Sequence, residues 1–195
     1  MRLFCVAAAG GMPAGWLLGG RPRHLASLEL RAPLLVVLAL AMQAGAGLTP
    51  RSARFPFVAA SYAVAGAWFV LNTRRRPLPL RIAVGLLAVG WLLNVAAILP
   101  NRGMPVSAAA VERLQPSQHA QVEVGQFSKH VDGYAGSPLR WLGDVVPVPP
   151  LGAVISIGDL FLLVGLAWCI AAGMTAASPE LLLRPEGARA VGMRR

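Results

Sequence analysis

The sequence predicts an all-α polytopic membrane protein, a bundle of five transmembrane helices with a folded extracytoplasmic loop. Three observations lead to this fold class. Hydrophobic residues make up 56% of the 195 residues, charged residues only 13%, and the mean hydropathy is +0.60. A soluble domain carries about 25% charged residues. Five apolar runs approach the roughly 20 residues that a helix needs to cross a bilayer core about 30 Å thick.

The apolar runs comprise residues 3–20, 32–49, 55–72, 81–99 and 152–174. None of them alternates with a period of two, so the pattern is not that of a membrane β-barrel. Lipid offers the backbone no hydrogen-bonding partner, and each run is therefore predicted to be a helix. The first run could instead be a cleaved signal peptide. The absence of a clear small-x-small cleavage site and the arginines that follow closely favour a retained helix.

The distribution of basic residues predicts the orientation. With the N-terminus outside, eleven arginines face the cytoplasm, whereas seven basic residues face outward, four of them in one long loop. Positive charge is enriched on the cytoplasmic side, and long loops count less in this rule. The predicted organisation is therefore four transmembrane helices in 1–99, an extracytoplasmic loop at 100–151, a fifth helix at 152–174, and a basic cytoplasmic tail at 175–195.

The net charge of +10 has two interpretations, binding to nucleic acid or membrane topology. The arginines lie in short segments between apolar runs, and no basic stripe is interleaved with aromatic residues, so nucleic-acid binding is not expected. The tail beside the membrane could attract anionic lipid headgroups, or it could serve only to set the topology. Within the long loop, Ser107 is placed to cap a short helix over "AAAVERL".

Four helices each carry a polar residue inside the apolar run: Gln43, Ser61, Asn94 and Asp159. Counted from the predicted outer ends, all four lie at a depth of roughly 8–11 Å. An ionisable residue within a span faces the bundle interior and is a functional candidate. Alternatively, such groups bond to one another and hold the helices in register. In either case Asp159 is expected to be paired inside the protein.

The first helix carries a repeated Gly-x-x-x-Gly pattern at Gly11, Gly15 and Gly19, with a predicted kink at Pro13. Small residues four apart form a flat face that another helix can approach closely. The pattern predicts helix packing at this face but leaves open whether the partner helix lies in this chain or in another protein.

No catalytic or metal motif is complete. Five acidic and histidine side chains of the loop suggest a metal site but lack the spacing of a compact one; they are His119, Glu123, His130, Asp132 and Asp144. No nucleophile elbow and no phosphate-binding glycine loop occurs. Cys5 and Cys169 each stand alone in an apolar run, which excludes a disulfide framework between loops. The sequence therefore predicts no catalytic residue, no metal and no cofactor.

Five segments carry a resemblance to a known family. They are "GGRPRHLASLELR" after the first helix, and then, after the fourth, "NRGMPVS" at 101–107, "KH" at 129–130, "LRWLGDVVPVP" at 139–149 and "SIGDLFLLVG" at 156–165. Together they resemble an uncharacterised family of small bacterial integral membrane proteins of actinobacteria and clostridia, known only as a domain of unknown function. The resemblance covers nearly the whole chain. It implies a location in the bacterial cytoplasmic membrane and no established activity.

The family's motifs indicate a set of positions of interest: Asn101, Met104, Pro105, Lys129, His130, Gly143, Asp144, Pro147, Ser156, Gly158 and Asp159. The family carries a glycine where Arg102 stands here. Prolines at 147, 149 and 150 exclude regular helix between the two Gly-Asp pairs and hold the chain extended.

The two carboxylates Asp144 and Asp159 could bracket one polar site at the outer face. Lys129, His130 and Arg102 are the cations available to it. The remaining candidate members of this polar cluster are Asn94, Asn101, Ser156 and Gln43.

Two classes of function follow. The first is a structural or accessory subunit of a membrane assembly, bound to the bilayer and to a membrane-protein partner or a second copy of the chain. The second is binding or transformation of a small molecule or lipid headgroup at the polar cluster. A transporter is a third class, although five helices offer no repeat pair.

Overall fold

The computed structural model describes residues 2–28, 30–73, 77–114, 130–131 and 134–175. The helices within these residues are α1 (Arg2–Leu17), α2 (Pro33–Leu48), α3 (Arg51–Thr73), α4 (Leu78–Asn101), the short α5 (Ala108–Val111) and α6 (Ile157–Thr175). The strands are β1 (Met104–Pro105), β2 (His130–Val131), β3 (Asp144–Val148) and β4 (Ala153–Ser156). The protein is thus mostly helical. The predicted basic tail, Lys129, His119 and Glu123 lie outside the described residues.

Each of the five predicted apolar runs contains one long helix. Three helical stretches in the described part of the chain are long and apolar enough to cross a membrane: Ala53–Thr73, Leu78–Asn101 and Ile157–Thr175. The helices α1 and α2 have 16 residues each and are shorter than predicted. Prolines near the first turns of α2 and α4 suit helix starts, since the ring fixes φ and the missing N–H is not needed there.

The helix α1 ends earlier than its apolar run because glycines close it with a Schellman motif. The N–H of Gly20 donates to Gly15 O at 2.8 Å, and that of Gly19 to Trp16 O at 2.9 Å. Gly19 has φ +76°, a left-handed conformation that favours glycine. The prediction that Gly19 belongs to the packing face of α1 is therefore wrong, since a Cβ there would meet nothing within 4 Å.

The glycine face of α1 packs against α6 of the same chain. A Cβ at Gly11 would lie 2.7 Å from the backbone oxygen of Ala167, and one at Gly15 would lie 2.6 Å from the Sδ of Met174. Gly20, rather than Gly19, continues this contact, because a Cβ there would lie 2.7 Å from the backbone carbon of Met174. The absence of side chains lets the two backbones come this close.

The long helices follow one another in space in the order α1, α6, α4, α3, α2; the contact between α4 and α6 is the most extensive of the four and that between α4 and α3 the least. The expected bundle is therefore a row, in which α2 packs mainly on α3. Between α3 and α4, the ring of Trp91 covers Gly66, and its Nε1 donates to Tyr62 O at 3.2 Å.

One end of the row, here called the hairpin end, holds the turn between α2 and α3, the C-terminus of α4, the N-terminus of α6 and the strands. A cluster of buried apolar side chains lies there and consists of Ala46, Val58, Tyr62, Ala97, Ile98, Met104 and Leu142. The opposite end, called the arginine end, holds the C-termini of α1, α3 and α6 and the exposed residues Arg21, Arg23, Arg31 and Arg81. Long helices that follow one another along the chain thus alternate in direction.

Two small sheets cover the hairpin end, so the described chain is not purely helical. The strands β1 and β2 pair in parallel, with Met104 opposite His130. The strands β3 and β4 form an antiparallel hairpin, and an isolated bridge joins Val106 to Asp144 of β3. The helix α5 begins after Ser107 as predicted but has only four residues, and the Ser107 side chain makes no capping hydrogen bond.

We expect the glycine contact between α1 and α6 to respond in opposite ways at two adjacent positions. Gly11→Ala should lower the melting temperature in detergent, since the new methyl group meets the backbone of Ala167. Gly10→Ala is the matched control, because nothing lies within 4 Å of its Cβ. Alanine is favoured over glycine in a helix by about 1 kcal/mol, so this control should be neutral or stabilising. Equal effects at both positions would contradict the close packing.

Candidate functional site

The polar cluster begins with a capping box at the start of α6. Ser156, the last residue of β4, accepts a hydrogen bond on its Oγ from the N–H of Asp159 at 2.9 Å. In return, the Asp159 Oδ2 accepts one from the N–H of Ser156 at 3.2 Å. A serine followed three residues later by an acidic residue satisfies two helix N–H groups in this reciprocal way. The "SIGD" stretch is therefore a helix start.

Asn94 joins this capping box to α4. Its Nδ2 donates to Asp159 Oδ1 at 2.9 Å, and its Oδ1 accepts a hydrogen bond from Ser156 Oγ at 2.8 Å. Ser156 is fully buried and Asn94 is only 1% exposed, whereas Asp159 is half-buried. The expected pairing of Asp159 inside the protein is present, with Asn94 as its partner. We call Asn94, Ser156 and Asp159 the polar lock.

Two facing glycines make room for the polar lock. A Cβ at Gly90 of α4 would lie 2.5 Å from Gly158 O of α6. A Cβ at Gly158 would meet the Asn94 Oδ1 and would lie 2.7 Å from Gly90 O. The crossing of α4 and α6 thus brings backbone against backbone, and the short Asn94 side chain then reaches the first turn of α6.

The position of Asp159 corrects the sequence-based placement. The fifth helix begins at Ile157 instead of residue 152, because Ala153–Ser156 pair with β3. Asp159 therefore lies in the first turn of α6, where the positive end of the helix dipole favours a carboxylate. The depth of roughly 8–11 Å, which assumed a helix start at residue 152, therefore does not apply to Asp159.

The other members of the predicted polar layer do not join the polar lock. The Ser61 hydroxyl is buried and donates to Val58 O of its own helix at 2.7 Å. Gln43 is half-buried on α2 and makes no hydrogen bond to the polar lock within the described residues. Four polar residues at similar positions along their helices therefore do not form one site.

The two Gly-Asp pairs of the sequence meet across the hairpin. Asp144 begins β3 and lies opposite Ser156 in the β4 register. Its side chain is buried at 3% exposure, and its carbonyl accepts the Ser107 N–H at 2.9 Å. The preceding Gly143 lies against the backbone oxygen of Pro105, which leaves no room for a side chain. The hairpin thus brings Asp144 next to the polar lock.

The remaining candidate residues at the hairpin end do not join the polar lock. Asn101 donates through Nδ2 to Ala97 O at 2.7 Å and to Pro138 O at 2.8 Å, which fastens the segment before β3 to the end of α4. Arg102 is exposed and closes α4 in a left-handed conformation, with φ +54°. His130 pairs through its backbone in β2.

Polar residues at the arginine end were not singled out from the sequence. The buried Asn72 side chain binds the backbone of Arg31, accepting its N–H at 2.9 Å and donating to its carbonyl at 3.0 Å. The Met174 carbonyl at the end of α6 lies 2.9 Å from His24 Nδ1 and accepts the Arg21 N–H at 2.9 Å. The sequence signal that could have identified Asn72 is that it is a single asparagine in the apolar run of α3.

The polar lock is bonded within the chain. Both Asp159 oxygens accept hydrogen bonds, one from Asn94 Nδ2 and one from the N–H of Ser156. In the part of the chain that the structure describes, no three His, Cys, Asp or Glu side chains lie together as a metal site would require.

Comparison with known proteins identifies the family of the chain. The profile of DUF5317, a family of unknown function, matches residues 27–171. No curated protein and no solved structure matches. The match includes α2, α3, α4, both sheets and most of α6, so the chain belongs to this family.

Substitutions at Asp159 should show whether its hydrogen bonds stabilise the protein or whether it is only a surface charge. Asp159→Leu leaves the Ser156 N–H and the Asn94 Nδ2 without acceptors, at about 1–3 kcal/mol for each buried group. Asp159→Asn should cost less, because the Asn94 amide can turn over and pair with the new amide. The midpoint of unfolding in mixed detergent micelles measures both effects. A wild-type midpoint for Asp159→Leu would contradict the structural role.

The two fully buried serines provide the control for that series. Ser156→Ala removes a helix cap, which costs about 0.5–2 kcal/mol, and also removes the donor to Asn94. Ser61→Ala removes only a bond to its own helix and should change the midpoint much less.

Proposed function

We propose that this member of DUF5317 is an integral membrane protein whose five long helices all cross the bilayer, and that it is a structural or accessory subunit of a membrane assembly. The observation that carries the proposal is that the three side chains of the polar lock form hydrogen bonds within the chain. Its hydrogen bonds run between α4, β4 and α6. They hold the hairpin onto the helices, as a scaffold requires.

The surface of the helices supports a membrane location. Large apolar side chains are exposed on helix after helix, including Leu34 (77%), Val70 (69%), Leu92 (54%) and Val164 (58%). A soluble monomer rarely exposes contiguous apolar patches larger than a few hundred Å². Lipid chains cover such surfaces without cost, and three of the helices have the length and hydropathy of a span.

The packing of the two shorter helices supports five spans. At 1.5 Å per residue, the 16 residues of α1 and of α2 each extend about 24 Å, somewhat less than a bilayer core of about 30 Å. The helix α1 lies along α6, and α2 lies along α3. If α3 and α6 span the bilayer, their neighbours are carried through it beside them, and local thinning accommodates the difference in length.

The orientation rests on charge. Of the 18 basic residues of the sequence, eleven belong to segments that the predicted organisation places on the side of Arg21, Arg23, Arg31 and Arg81, and seven to segments on the other side. Under the positive-inside rule the arginine end therefore faces the cytoplasm. The hairpin end, with the segment from residue 100 to β4, then faces outward.

Cysteine labelling tests this topology at two described, exposed positions. In a variant that lacks Cys5 and Cys169, Ala109→Cys at the hairpin end should react with an impermeant thiol reagent in intact cells. Ala26→Cys at the arginine end should react only after the membrane is permeabilised. Labelling of Ala26→Cys in intact cells would overturn the orientation.

A second candidate function is binding of a small molecule or lipid headgroup at the hairpin end. It is favoured by the burial of the Asp144 carboxylate at 3% exposure, in register with Ser156. The ligand would then be held by Asp144.

Purification in a mild detergent discriminates between the two functions. An accessory subunit should be recovered in stoichiometric complex with another membrane protein or a second copy of itself. The isoelectronic Asp144→Asn variant should leave that complex intact. If the isolated chain instead carries a bound ion or small molecule that Asp144→Asn releases, the second function replaces the first.

A further inference from the structure

A surface groove lies at the arginine end, where α1 ends, α4 begins and α6 ends. Its volume is about 250 Å³, and it is lined by Leu18, Pro79, Trp168, Ala171, Ala172 and Thr175. The walls are mainly apolar. The Trp168 indole is 41% exposed and is held in place by a hydrogen bond from Nε1 to Pro79 O at 3.0 Å.

We propose that this groove binds one acyl chain of an anionic phospholipid, with the lipid phosphate beside Arg21 and Arg23. The inference rests on the membrane location proposed above and adds a specific lipid site to it. The site lies on the residues that follow α1, on the start of α4 and on the end of α6, and it is separate from the polar lock.

The shape of the groove suits an alkyl chain. Ala171 and Ala172 are small and form a depression on α6, one turn beyond the broad Trp168 ring. Leu18 follows the last residue of α1, and Pro79 belongs to the first turn of α4, so three helices contribute walls. An indole at such a helix end is typical of the membrane interface, where the ring lies at the level of the headgroups.

The charge at this end complements a phosphate. The described charged residues there are Arg21, Arg23, Arg31 and Arg81, and all four are exposed. The described acidic residues, Glu112, Asp144 and Asp159, belong to the hairpin end. Arginine binds phosphate through a planar fork of donors.

Backbone hydrogen bonds place Arg21 at the rim of the groove. The Arg21 N–H donates to Met174 O, the residue before Thr175 in the groove wall. The His24 ring approaches the same carbonyl and holds the turn that carries Arg23. A free phosphate ion would use the arginines alone, whereas a phospholipid uses both the arginines and the apolar walls, which is why we assign the groove to a lipid.

Quenching of tryptophan fluorescence by brominated lipids tests the proposal on the full chain in neutral detergent. Phosphatidylglycerol with brominated acyl chains should quench at about a tenfold lower concentration than brominated phosphatidylcholine, as one or two arginines near a phosphate would provide. The high-affinity part of this quenching should disappear in Trp168→Phe. It should also disappear in Thr175→Phe, which puts a ring into the groove at an exposed position.

The arginines have a matched control at the other end of the row. Arg21→Gln with Arg23→Gln should reduce the affinity for phosphatidylglycerol to that for phosphatidylcholine. Arg102→Gln with Arg113→Gln removes the same charge from two exposed positions at the hairpin end and should leave the preference unchanged. Circular dichroism confirms the fold of each variant.

Three results would overturn the proposal. One is equal affinity of the wild type for both lipids, and another is quenching that Trp168→Phe and Thr175→Phe leave unaltered. The third is an equal loss of preference in both arginine pairs, which would indicate general attraction by net charge. These results leave the membrane location standing. Recovery of the chain from cells in the soluble fraction, without detergent, would overturn the membrane location itself.

Discussion

Three side chains from three elements meet where α6 begins, and the rest of the hairpin end depends on their hydrogen bonds. Ser156 ends β4, Asp159 lies in the first turn of α6, and Asn94 comes from α4. Asn94 and Ser156 are buried away from solvent, so their polar groups need partners within the protein. The polar lock therefore determines where the strand stops, where the helix starts and how α4 is aligned beside it. Loss of one member would leave the others unsatisfied, at about 1–3 kcal/mol for each group.

Close backbone contacts extend this alignment through the row of helices. Gly90 and Gly158 let α4 and α6 cross at short distance, and Gly11 lets α1 lie directly on α6. Association of helices in lipid depends on packing and hydrogen bonds, since lipid chains are as apolar as the side chains. The crossing of α4 and α6 thus combines close backbone packing with the hydrogen bonds of the polar lock. On the other side of α4, the Trp91 ring fills the space over Gly66 and joins α3, with α2, to the row.

The two ends of the row differ in the polar groups that they carry. The hairpin end places two carboxylates within a folded layer of strands. The arginine end has exposed arginines, and its polar side chains bind the backbone: Asn72 holds Arg31, and His24 contacts the Met174 carbonyl. Such contacts order the link between α1 and α2 against the ends of α3 and α6.

The sequence by itself determined the five helical runs, the flat glycine face of α1 at Gly11 and Gly15, and the need of Asp159 for a partner. These follow from local properties, namely hydropathy over about 20 residues, the spacing of small residues and the cost of a carboxylate among apolar side chains. Only the tertiary structure decided that α6 starts at Ile157, because pairing of Ala153–Ser156 with β3 depends on residues outside that run. The same holds for the choice of Asn94, rather than Gln43 or Ser61, as partner of Asp159. Residues at similar positions along separate helices meet only if those helices are neighbours with the right faces together, and the row places α6 beside α4.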